Sequence, residues 1–113
     1  MTKLLLIFIL AGALFVRVYR TSDFLGFWYD QGRDALVIWD LVRNHKFFLI
    51  GPTTGIEGIF LGPFYYYLIA PFYAVGSGDP VYPAVFLAVL NVAGIFLVYR
   101  IGRDFFSPRS GLA

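Results

Sequence analysis

At 113 residues the chain is 59% hydrophobic, 20% aromatic and only 14% charged, with a mean hydropathy of +0.74. Soluble domains carry charge on about a quarter of their residues, so this composition is that of an integral membrane protein. The absence of cysteine excludes disulfides, thiolate metal sites and cysteine nucleophiles. The single histidine, His45, excludes a histidine zinc site within the chain, and a scattered net charge of +2 gives no footprint for nucleic acid.

The first apolar segment runs from Leu4 to Val18, and Tyr19 with the snorkelling Arg17 and Arg20 extends it to residue 20. It is short for a hydrocarbon core about 30 Å thick. A cleavable signal peptide is the competing reading, since Lys3 supplies a basic start and Ala11-Gly12-Ala13 supplies small residues. Apolar Leu14-Phe15-Val16 continues past that point and arginine follows at once, which fits an uncleaved anchor better.

Residues 21–58 form a connection far longer than a hairpin needs, and connections of this length commonly carry function. Within it, Trp28-Tyr29-Asp30-Gln31-Gly32-Arg33-Asp34 places two carboxylates and a guanidinium between apolar segments. Asp30 and Asp34 stand one helical turn apart, so in a helix they share a side with Arg33 beside them. Ala35, Ile38, Trp39 and Val42 recur at i, i+3, i+4 and i+7, with Arg33, Asp40 and Arg43 pointing elsewhere. That pattern predicts an amphipathic helix over 31–44, lying on the membrane surface.

A second apolar segment, 59–75, carries Pro63 and Pro71 and predicts a kinked helix. The third, 81–101, opens with Asp79-Pro80, a capping residue followed by proline at the first helical position, and Asn91 within it is expected to bond a neighbouring helix. Only residues 76–80 join these two segments, so they predict a tight antiparallel hairpin. The expected fold is therefore all-α, with about three transmembrane spans and an amphipathic juxtamembrane helix in the first outer loop. Lys3 places the amino terminus in the cytoplasm, the long loop outside and the 76–80 turn inside. Arg17, Arg20, Arg100 and Arg103 then fall on the outer side, against the positive-inside rule. Ser107-Pro108 reads as a helix cap and first-turn proline, so the sequence reads as the amino-terminal part of a larger multi-pass protein of the inner or plasma membrane.

The layout resembles the amino-terminal portion of the GT-C membrane glycosyltransferases, in particular the protein O-mannosyltransferases and the lipid A aminoarabinose transferases. Those families show Asp-Glu-Ala-Arg in the first outer loop and Lys-Pro-Pro-Leu-Tyr-Tyr-Trp-Leu at the second span. Here the corresponding runs are Asp30-Gln31-Gly32-Arg33 and Leu61-Gly62-Pro63-Phe64-Tyr65-Tyr66-Tyr67-Leu68. Gln31 thus replaces a glutamate, and Leu61 stands where the family has a lysine proposed to contact phosphate. The resemblance implies transfer of a sugar from a polyprenyl-phosphate donor to a protein or lipid hydroxyl at the outer face, with membrane lipid as surroundings and no cofactor beyond the lipid-linked donor. It carries to Asp30 the role of general base or acceptor-orienting group.

Chemically, a carboxylate within reach of an acceptor hydroxyl takes its proton as the new bond forms, and a phosphate leaving group calls for a cation such as Arg33. Asp30 also reads as a plain helix cap, and Asp34 as the partner of Arg33 or of the helix dipole. Glu57, flanked by Gly55 and Gly58, is a candidate substrate contact, as are Arg33, Asp34 and Tyr66, the last as the wall of a lipid groove. Two other classes remain open at this point. A transporter or channel subunit fits the proline-kinked span but lacks a mid-membrane carboxylate. A small membrane-anchored accessory protein would bind a partner through the aromatic loop.

Overall fold

The computed structural model describes residues 2–107 and 110–112. Among them the chain is all-helical, with one isolated antiparallel bridge, Thr53 to Phe60, and no β-strand. It divides into two compact units, residues 1–21 with 85–113, and residues 22–84.

The first unit holds α1, Thr2–Val18, and most of α5, Val81–Phe105. No side chain of α1 is buried, and Leu4, Phe8 and Val16 are among its exposed apolar residues. The helix stops where Arg20 takes a left-handed conformation (φ 55°) and the Thr21 hydroxyl donates to the Val18 carbonyl at 2.9 Å. The 25 residues of α5 rise about 37 Å at 1.5 Å per residue, and it is long and apolar enough to cross a membrane. Asn91 donates to the Leu87 carbonyl of its own helix at 2.8 Å rather than to a neighbouring helix, because the i−4 carbonyl lies nearest. The Ser107 hydroxyl accepts the Ser110 N–H at 3.1 Å, but the helix it introduces is a single 3-10 turn, Ser110–Leu112. Pro108, expected in a first helical turn, lies outside the described residues.

The second unit takes in α2 (Thr21–Phe24) from its second residue on, followed by α3 (Tyr29–Asn44). The predicted helix over 31–44 starts two residues early, since the Gln31 side chain accepts the Trp28 N–H at 2.7 Å and the Trp28 carbonyl accepts the Gly32 N–H at 2.9 Å. Asp30 therefore sits inside the first turn and Gln31 makes the reciprocal capping contact. His45, at φ 53°, ends the helix in the left-handed conformation. Ile38 and Leu41 are its buried residues, and α3 packs on α4, whose Tyr66, Ile69, Ala70 and Tyr73 are buried.

The apolar stretch 59–75 is helical only as α4, Phe64–Val75. Ahead of it the backbone pairs with itself as a small hairpin: Gly51 N–H to Leu61 at 3.0 Å, Leu61 N–H to Pro52 at 2.9 Å, and Thr54 N–H to Ile59 at 3.1 Å. The approach at Gly51 requires glycine, because a Cβ there would strike the Gly62 carbonyl. Twelve helical residues rise about 18 Å, well short of a 30 Å hydrocarbon core.

The turn after α4 matches the sequence pattern, with the Asp79 carboxylate accepting the Val81 N–H at 2.9 Å. Gly78 adopts φ +94°, and the Trp39 indole of α3 lies over it, 3.5 Å from where a Cβ would stand. Trp39 and the 76–80 turn are therefore neighbours.

Candidate functional site

Donors from α3 and α4 converge on one carboxylate oxygen, and the loop hairpin meets the same guanidinium. The Arg33 guanidinium donates to Asp34 Oδ1 through Nε at 3.0 Å and Nη2 at 2.9 Å, and the Tyr66 hydroxyl donates to the same oxygen at 2.7 Å. Arg33 Nη1 reaches Thr53 Oγ1 at 3.0 Å and the Asp30 carboxylate at 3.3 Å. Helical spacing sets Asp30, Arg33 and Asp34 on one side of α3, and packing of α3 on α4 delivers Tyr66 to them.

Solvent access separates the two carboxylates. The Asp30 side chain is 79% exposed, against 35% for Arg33 and 19% for Asp34. Tyr66 is 3% exposed, with its ring edge-on to Phe48 at 5.5 Å. Asp34 is thus the interior hub and Asp30 the carboxylate open to an incoming group. The hydrogen bond and charge of Asp34 push the Arg33 pKa above its ordinary value, so the guanidinium stays charged. Arg33 thus makes three hydrogen bonds, to Asp34 through Nε and Nη2 and to Thr53 through Nη1, and one ion pair, to Asp30.

Arg33 also lies on the rim of an open, apolar groove of about 680 Å³, walled by Phe27, Trp28, Tyr29, Leu36 and Val37. Its chemistry suits an apolar chain with a polar end near Arg33. Among the described residues no group of three or more His, Cys, Asp or Glu side chains is placed to hold a metal.

Of the residues singled out from sequence, Asp30, Arg33, Asp34 and Tyr66 come together. Glu57 does not: it is exposed near the hairpin tip, and no hydrogen bond or ion pair joins it to the cluster. Tyr66 is placed with its hydroxyl on Asp34 rather than as the wall of a groove. Thr53 was not singled out, and nothing in its local sequence marks it, since its partner is 20 residues away. Compared with protein families, curated proteins and solved structures, the chain matches none of them.

Proposed function

We propose that the chain belongs to a membrane glycosyltransferase of GT-C type, multi-pass in the inner or plasma membrane, moving a sugar from a polyprenyl-phosphate donor to a protein or lipid hydroxyl at the extracytoplasmic face. The observation that carries this reading is the exposed Asp30 carboxylate, held 3.3 Å from an Arg33 whose remaining contacts fix it in place. In the reaction, the acceptor oxygen attacks the anomeric carbon and Asp30 takes the hydroxyl proton. The bond from that carbon to the phosphate oxygen breaks, and its electron pair leaves with the polyprenyl phosphate. The Arg33 guanidinium offers its positive charge to that phosphate, and the apolar groove it lines suits the isoprenoid chain.

The membrane arrangement that fits best has α1 and α5 as crossing helices and puts both the 21–58 connection and the 76–80 turn on the outer side. Two observations support it over three spans: the Trp39 contact with Gly78, and the 12-residue length of α4. With the amino terminus and Lys3 inside, Arg100 and Arg103 then fall on the cytoplasmic side, as the positive-inside rule favours. In this arrangement α3 is a juxtamembrane helix whose Ile38 and Leu41 meet protein instead of lipid.

The test is to express the full gene in membranes and supply a labelled polyprenyl-phosphate sugar. Consumption of the donor with release of polyprenyl phosphate is expected. No consumption across protein and lipid acceptors would refute the reading and favour an accessory protein anchored through α5.

A further inference from the structure

We infer that Tyr66 is a positioning residue, whose buried hydroxyl anchors Asp34 and thereby aims Arg33 and, through it, Asp30. Asp34 Oδ1 accepts three donors, two from Arg33 and one from Tyr66. Arg33 approaches from the more exposed side, whereas Tyr66 is held on the interior side by α4 and the edge-on Phe48 ring. The Asp34 carboxylate can swing about its side-chain torsions unless something rigid holds it, and only Tyr66 among its three donors comes from a buried ring. With that oxygen fixed, Nε and Nη2 set the plane of the guanidinium, because both bonds converge on one point and the group is planar. The plane then directs Nη1 at Thr53 and at Asp30. Tyr66 touches neither Asp30 nor the lining of the open groove, so it acts on Asp30 only through Asp34 and Arg33, the guanidinium lying within its own reach as well.

The functional part of this inference rests on Asp30 serving as the base. The positioning part does not, and the experiment separates them. In the whole protein in lipid nanodiscs, solvent exchange of the Arg33 Nε–H is followed by nitrogen-15 NMR for wild type, Tyr66→Phe and Tyr67→Phe. Tyr67 is the control, since its hydroxyl bonds only the Phe48 backbone, donating to the carbonyl at 2.8 Å and accepting the N–H at 3.1 Å. Each variant removes one hydroxyl from adjacent positions on the same helix.

Tyr66→Phe is expected to speed Arg33 Nε–H exchange about tenfold, the size of one lost hydrogen bond to a charged group, while Tyr67→Phe leaves it within about twofold. Phe48→Leu removes the ring that holds Tyr66 without touching Arg33 or Asp34 and should also accelerate exchange, which keeps the inference testable if Tyr66→Phe is poorly produced. Unchanged exchange in Tyr66→Phe, or equal acceleration in both tyrosine variants, would overturn it. In the transfer assay Tyr66→Phe should lower kcat with little change in KM. Accelerated exchange in a protein whose wild type consumes no donor would leave the positioning role standing and remove the transferase reading.

Discussion

Replacing Asp34 by alanine takes the hub out of the cluster and leaves its donors without their acceptor. The Arg33 side of the loss is modest, because that side chain is 35% exposed and water replaces much of the ion pair. The Tyr66 side is larger, since a hydroxyl on a residue 3% exposed is left buried and unsatisfied, at a cost of about 1–3 kcal/mol. Because all three bonds share one oxygen they do not add, and the expected loss for Asp34→Ala is about 2–3 kcal/mol. Asp34→Asn keeps an acceptor oxygen facing Tyr66 and should cost about 1 kcal/mol. The assay is SDS-driven unfolding in mixed micelles, followed by fluorescence of Trp39, whose indole lies over Gly78 and so reports α3 against the turn. A Trp28→Phe background removes the second tryptophan. An Asp34→Ala protein within about 0.5 kcal/mol of its parent (below the range expected for a buried unsatisfied group), or an asparagine variant as costly as alanine, would refute the hub.

Other parts of the chain give two further predictions. Single cysteines at Ser22 and Ser77, in a protein with no native cysteine, should react with an impermeant thiol reagent from the same, outer side; labelling from opposite sides would restore the three-span arrangement. The Asp40 carboxylate, bonded first by Asn44 and then by Lys46, should titrate below the ordinary carboxylate range in carbon-13 NMR. Its contribution to stability is then present above the unfolded carboxylate pKa and lost as pH falls through the lowered value, and Asn44→Ala should raise that midpoint more than Lys46→Ala does.

Local pattern announced what local physics controls. The Ile38 spacing announced α3, and Asp79-Pro80 announced the start of α5, because helix periodicity and capping act over a few residues. The Arg33 to Asp34 pairing was legible for the same reason. Leu41 is buried although it falls outside the i, i+3, i+4, i+7 set, since the face that packs is chosen by α4 and not by α3's own pattern. The segment 59–75 reads as uniformly apolar, yet its first residues pair with 51–54, a choice made by backbone hydrogen bonding that hydropathy does not encode. The link between Tyr66 and Asp34 spans 32 residues and that between Arg33 and Thr53 spans 20, so neither leaves a mark in any short window. Glu57 attracted notice by standing among glycines, which serve the hairpin: Gly51 for close approach and Gly58 for its φ of +78°.

The most direct measurement is the initial rate of sugar transfer from labelled polyprenyl-phosphate donor by the intact protein and by Asp30→Asn, at matched membrane abundance. Asparagine preserves the shape beside Arg33 and removes the base, and Asp30 accepts no capping bond whose loss would confuse the result. A fall of roughly 10²-fold or more is predicted for loss of a general base. Near-wild-type turnover by Asp30→Asn would contradict the assignment of Asp30, and with it the central claim.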